Sequence, residues 1–347
     1  MIQQQTTTNN LINMQALTES VEQHVNTSSV EVLVEEIVNN IIDKINIPDI
    51  LVVDDIDVTM TEPEKEKKEE KEQTITITSA VALIGAGQDR VRTGKDWIIV
   101  QDGHGTNHCI HYLDTLDYDT IMQQENPAEE IHRLVQTKVS GNRFIRTGST
   151  LCIARIIPGF VEIINAGDSQ ATVFIDGQKV FCSYPHSFTD AFNGDPEEYT
   201  RLQSVLHPET PSKRGQTLKV ITPELISYAD ARVSMFKCGR ELVPSMALGH
   251  ENMTGFAPKK TRCPILPGQK VRVCVYSDGV SDMQIDNDLK EDSEMQSMNV
   301  TELVDKYEKR WKQQWLFAED ISRLDKTVQT NMGGSFDDLC MGIIDIV

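Results

Sequence analysis

From Thr74 onward the chain is written in short apolar runs that stop on polar clusters. "TITITSAVALIGAG" (74–87) alternates and then turns apolar, which predicts a strand. "DWIIVQD" (96–102) carries an unbroken run from Trp97 to Val100 and predicts a second, buried one. Residues 108–138 predict helix, interrupted near Asn126-Pro127. "GSTLCIARIIPGFVEIINAGDSQATVFIDGQKVF" (148–181) predicts three or four strands. Its turns fall at Pro158-Gly159 and Asp176-Gly177, the latter a strong hairpin signal. Residues 183–262 are mixed and polar. "PGQKVRVCVYSDGVSDM" (267–283) predicts a turn and a strand, and "FDDLCMGIIDIV" (336–347) a final strand. Between them "VTELVDKYEKRWKQQWLFAEDISRL" (300–324) predicts an amphipathic helix with Tyr307, Trp311 and Trp315 on one core-facing stripe. Strands that come in hairpins favour antiparallel sheets with helices outside, over a doubly wound parallel sheet.

The first 72 residues read differently. Residues 1–10 are Gln/Thr/Asn-rich and predict disorder. Ser29 is an N-cap candidate for an amphipathic helix over 29–45, which either docks on its own domain or binds a partner. Residues 61–72, "TEPEKEKKEEKE", predict a charged linker. The chain therefore divides into an extension, 1–72, and a globular domain, 73–347.

Charge and cysteines narrow the function. A net charge of −20 argues against a nucleic-acid partner. The 7 cysteines show no CxxC spacing, which argues against zinc clusters and suits a reducing compartment. No apolar run is long enough for a membrane span, the N-terminus lacks signal-peptide features, and Ile2 excludes myristoylation. The expectation is an intracellular protein, cytoplasmic or nuclear.

Four acids recur in one kind of place. Asp102, Asp168, Asp278 and Asp337 each sit where an apolar strand starts or stops, three of them beside Gly103, Gly167 and Gly279. One such Asp is a loop residue; several converge only with cations to share, since otherwise their repulsion destabilises the fold. Hard oxygen ligands suit Mg²⁺ or Mn²⁺.

"DGHG" (102–105), "GST" (148–150), "NAGDSQATVF" (165–174), "SMALGH" (245–250), "YSDGVSDM" (276–283) and "SFDDLCMGII" (335–344) follow in this order. Together they resemble the metal-dependent serine/threonine protein phosphatases of type 2C, over about residues 74–347. The resemblance implies an α+β fold: a four-layer α-β-β-α sandwich, two antiparallel sheets flanked by helices. It implies two Mg²⁺ or Mn²⁺ ions and a weaker third. Asp102 would bridge two ions, with the Gly103 carbonyl, Asp278 and Asp337 as further ligands, and Asp168 and Asp282 at the third site. Asp89, beside Gln88, would act through bound water, and His104 as the general acid. The implied reaction is hydrolysis of phosphoserine and phosphothreonine in phosphoprotein substrates by a metal-activated water, a signalling dephosphorylation.

The chain departs from the family pattern. The Arg that holds substrate phosphate is replaced by Ile84, leaving Arg90 or Arg92 as candidates. "LGD" reads Leu248-Gly249-His250, the Asn after Asp337 is Asp338, and Thr106 replaces a second Gly. The alternative reading is a pseudophosphatase, a weak or inactive phosphatase fold that binds a partner.

Overall fold

The computed structural model describes residues 73–83, 87–138, 146–186, 196–205, 242, 244–285, 288–313, 315–318, 327–330 and 337–347. The helix expected at 29–45, the linker at 61–72 and the Ile84 position lie outside the described residues. In chain order the strands are β1 (Ile75–Ala82), β2 (Arg90–Thr93), β3 (Trp97–Gln101), β4 (Gly103–Gly105), β5 (Thr147–Ser149), β6 (Leu151–Ile157), β7 (Phe160–Ala166), β8 (Gln170–Ile175), β9 (Gln178–Cys182), β10 (Leu248–Gly249), β11 (Lys259–Pro264), β12 (Val271–Tyr276), β13 (Trp315–Ala318), β14 (Thr327–Thr330) and β15 (Leu339–Ile346). The helices are α1 (His108–Leu113), α2 (Tyr118–Met122), α3 (Pro127–Lys138), α4 (Pro196–Val205), α5 (Asp278–Ser281), α6 (Leu289–Ser297) and α7 (Val300–Lys312).

Two five-stranded antiparallel sheets, ordered β1-β15-β12-β8-β9 and β11-β7-β6-β3-β2, form the centre. The run from Trp97 to Val100 shows why strands here are apolar throughout. Ile98 and Val100 join Cys152, Ala154, Val161 and Ile163 against Val173, Val273, Val275 and Ile344 of the other sheet. Trp97 and Ile99 point the other way, into a cluster with Ile110, Leu113, Ile121, Ile131 and Val135 of α1 to α3. The first sheet is covered likewise: Phe174, Tyr276, Met341 and Ile343 pack on Val280, Met295, Leu303, Tyr307 and Trp311. Both faces of the inner strands β3, β6, β7, β8, β12 and β15 are thus buried, and alternation gives way there to continuous apolar runs. This is the four-layer α+β sandwich of two antiparallel sheets between helices.

Local chemistry sets the joints. Pro127 opens α3, where its missing N–H costs nothing. Asp176 and Gly177 both have positive φ, 50° and 80°, and close the β8–β9 hairpin. Asn299 and Glu302 form a reciprocal capping box at the start of α7.

Two expectations need correction. The helix predicted through residue 324 stops at Lys312, and Gln313 is already extended. Trp315 is therefore not on the Tyr307–Trp311 stripe; it starts β13, which pairs with Thr327–Thr330. Its aromatic and apolar run, "WLFA", suits a strand as well as a helix, and the cross-strand pairing decides. The region expected to hold three or four strands holds five, β5 to β9, because the short Thr147–Ser149 segment pairs separately in a small sheet ordered β10-β5-β4. No helix among the described residues is long and apolar enough to cross a membrane.

Candidate metal centre

β3, β7 and β12 end at one place, on Asp102, Asp168 and Asp278. Carboxylate oxygens of these three lie within 4.8 Å of one another. Two strand ends are locked by the same device. Asp102 N–H donates to Thr150 Oγ1 (2.9 Å), and Thr150 N–H returns to Asp102 O (2.8 Å). Ser277, before Asp278, donates its N–H to Cys340 O (3.1 Å), and Cys340 N–H donates to Ser277 Oγ (3.0 Å). Thr150 Oγ1 also meets Ser169 Oγ at 2.7 Å, which ties the Asp168 turn to the Asp102 end. From the outer layer, Trp311 Nε1–H donates to Gly279 O at 2.7 Å.

Glycines admit the close approach. A Cβ on Gly279 would stand 2.1 Å from Asp338 O, so only glycine lets the Asp337–Asp338 segment pass. A Cβ on Gly103 would meet Ile110 Cγ1 at 2.3 Å and Gln88 O at 2.9 Å. Gln88 is pinned in turn: its N–H donates to Asp338 Oδ2 (2.6 Å), and its Nε2 to Gly105 O (3.1 Å) and Asn107 Oδ1 (2.6 Å).

The electrostatics are those of crowded anions. Burial pushes the Asp102 carboxyl well above the usual range, and the charges of Asp89, Asp337 and Asp168 push it further. Asp278 is raised by burial, then by Asp102, Asp337, Asp168 and Asp282. Asp89 is raised by burial against the favourable pull of the Ser277 hydroxyl, with Asp278, Asp337 and Asp338 adding repulsion. Both Asp89 oxygens and Oδ1 of Asp278 are shielded from solvent and meet no donor at hydrogen-bonding geometry among the described residues. Buried acids without partners are costly. Hard divalent cations fit this donor set: all oxygen, all anionic, converging.

The expected residues distribute as follows. Asp102, Asp168 and Asp278 come together as one group. Asp89, Asp282 and Asp337 act on it through their charge but stand outside that set, Asp337 being exposed. His104 lies on β4, two residues past Asp102, with Nε2 buried and unbonded among the described residues. Its pKa is pushed well below the usual value by burial and then by His250. Arg90 and Arg92 are held elsewhere. Arg92 bonds Asp114 and Gln101, while Arg90 bonds Asp114 (3.2 Å) and the carbonyls of Gly87 (2.9 Å) and Asp89 (2.8 Å). The sequence reading missed the bracing hydroxyls Thr150 and Ser277. It noted His250 and Asp338 as departures and gave them no role; "GST" and "SDG" were the available signals for the first two.

No protein-family model matches the chain, and neither does any curated protein sequence. Among solved structures the chain is similar to the catalytic domain of the serine/threonine phosphatase PstP in complex with two manganese ions: 16% identity, TM-score 0.47, over 80% of this chain and 100% of that one. It is similar to the PPM Ser-Thr phosphatase MsPP of Mycobacterium smegmatis, solved with cacodylate: 17%, TM-score 0.46, 78% and 97%. It is also similar to serine-threonine phosphatase 2C of Toxoplasma gondii: 14%, TM-score 0.45, 79% and 95%. The likeness is one of fold.

Proposed function

We propose that residues 73–347 form a metal-dependent protein phosphatase domain that hydrolyses phosphoserine and phosphothreonine, with residues 1–72 an extension outside it. The observation that carries this reading is the convergence of Asp102, Asp168 and Asp278 at three strand ends, their oxygens within 4.8 Å and two of them, with Asp89, forced above the usual carboxylate range. Three acids converging at one point, Asp168 buried and Asp102 and Asp278 half-buried, call for cations, and an all-oxygen set selects Mg²⁺ or Mn²⁺. Asp102, the Gly103 carbonyl, Asp278 and Asp337 would hold two ions, with Asp168 and Asp282 at a weaker third. Bound there, divalent ions supply Lewis-acid charge toward a phosphoryl group and acidify water.

The chain's own residues do the rest. Asp89, with two acceptor oxygens facing inward, orients water by accepting its hydrogen bonds. His104 delivers a proton from Nε2 to the departing seryl or threonyl oxygen, and its buried, unbonded Nε2 supports that role. Thr150 and Ser277 keep Asp102 and Asp278 on rigid strand ends. The Asp114 contacts of Arg90 and Arg92 favour a second reading, a pseudophosphatase without a phosphate clamp.

The test is release of phosphate from a phosphothreonine peptide by the full chain with Mn²⁺. EDTA should abolish it, and Asp278→Ala should lower it by orders of magnitude. Turnover indifferent to EDTA or to that substitution would end the metal reading. Mn²⁺ binding by calorimetry without turnover would select the pseudophosphatase.

A further inference from the structure

The small sheet β10-β5-β4 brings together two residues 146 positions apart in sequence. His104 pairs with Gly148, and Gly148 pairs with Gly249, so the residue after Gly249 arrives beside His104 across a single glycine. That residue is His250. Its Nε2 lies 2.7 Å from Nδ1 of His104, the ring planes are 3° apart and the centroids 4.7 Å apart. Nitrogens that close at that centroid spacing mean two rings meeting edge to edge in nearly one plane. The contact is a hydrogen bond between imidazoles rather than a face-to-face stack.

The surroundings are shaped for this contact. A Cβ on Gly148 would sit 2.2 Å from both Cδ2 and Nε2 of His250, so glycine is what admits the ring. His250, Glu251 and Asn252 all take left-handed backbone, with φ of 48°, 51° and 57°. Three consecutive non-glycine residues in that region persist only where the surrounding structure enforces them. His250 itself is 1% exposed. The other ring nitrogen of His104, Nε2, is buried and has no hydrogen-bond partner among the described residues.

We propose that His250 is a positioning residue for His104: by binding Nδ1 it fixes the imidazole so that Nε2 is the nitrogen offered for proton transfer. An untethered imidazole is broad and roughly two-fold about χ2 and presents either edge. A hydrogen bond at one ring nitrogen decides what the other does. Here the tether is a second imidazole, at the position where the sequence reads Leu248-Gly249-His250. The inference rests on the phosphatase reading, in which His104 serves the leaving oxygen.

The experiment uses the full chain and two readouts. In the metal-free ¹⁵N-labelled protein, a scalar coupling across the hydrogen bond should link a ring nitrogen of His104 to one of His250. It should vanish in His250→Ala. In Mn²⁺ turnover assays His250→Ala should lower kcat about 100-fold, the cost of a misplaced catalytic group, while KM and Mn²⁺ affinity stay within about twofold of wild type. His250→Gln, which can still bond Nδ1, should recover part of the loss. Gly148→Ala keeps the imidazole but excludes it from its seat, and should mimic His250→Ala. It also covers the case in which His250→Ala fails to fold. Absence of the coupling in folded wild-type protein overturns the proposal whether or not the protein turns over. So does an unchanged kcat in a folded His250→Ala or Gly148→Ala variant. Coupling present with no wild-type turnover overturns the phosphatase reading, and with it the catalytic use of the pair, while leaving the contact itself established.

Discussion

Glu162 is buried and Asp278 half-buried, and the fold treats these two acids in opposite ways. Glu162 on β7 receives Arg155 Nε at 2.8 Å and Arg262 Nε at 2.7 Å. Burial pushes its carboxyl up, but the bonds from Arg262 and Arg155 outweigh it and hold the pKa below the usual value. Glu291 on α6 is the same case, with Arg310, Lys306 and Tyr307 supplying the compensation. Asp278 has acids for neighbours, and its pKa moves the other way. The chain can therefore neutralise a buried carboxylate when it needs stability. At the ends of β3 and β12 the described residues do the opposite: the neighbouring acids push Asp102 and Asp278 up, and that charge is left for something outside the chain to balance.

The sharpest way to break the contrast is to neutralise one acid from each region. In EDTA, Glu162→Gln should destabilise the protein by about 3 kcal/mol in urea unfolding, because Arg155 is left buried without its counter-charge. Asp278→Asn should leave metal-free stability unchanged or raise it, since it removes a repelled charge. A comparable loss in both variants would erase the distinction. A smaller effect comes from adding metal. Mn²⁺ at about 100 times its Kd should stabilise wild type by about 2.7 kcal/mol per site. Glu162→Gln should keep that gain and Asp278→Asn should lose most of it; an equal gain in both would mean the cations bind elsewhere. The smallest signal is the pH slope. In metal-free protein the raised acids hold more protons folded than unfolded at pH values above 3.8, so their contribution to stability falls as pH rises toward their folded values. Glu162 and Glu291, held below 4.5, contribute stability that is complete above that value and lost as pH falls through their folded values. Asp278→Asn should flatten the alkaline-side decline in the absence of metal, and an unchanged slope would count against the raised carboxylates.

What was legible in the sequence follows from the range of the interactions. The strand ends at Asp102, Asp168 and Asp278 could be read because apolar runs stop there and local pattern suffices. The end of α7 could not, because "WLFA" is ambiguous until Trp315–Ala318 finds its partner strand. Arg90 and Arg92 looked available from their positions, yet Asp114 takes both, and sequence distance says nothing of that competition. His250 stood out only as a departure, since its contact with His104 depends on a register of three short strands. Asp338 looked like a lost Asn, and the structure makes it the acceptor for the Gln88 backbone.

β15 is the last of the described strands, yet it lies inside its sheet, between β1 and β12, and is the one strand that pairs with β1 among the described residues. It also carries Cys340, the far half of the Ser277 brace, directly after Asp337 and Asp338. A nascent chain on the ribosome can complete the sheet of β11, β7, β6, β3 and β2 while the other still lacks the strand between β1 and β12. The two oldest and youngest strands close that gap together. Such long-range closure is slow and leaves apolar edges open to aggregation until it happens, so the Cys340 brace on Ser277, beside Asp278, forms only after β15 has been made.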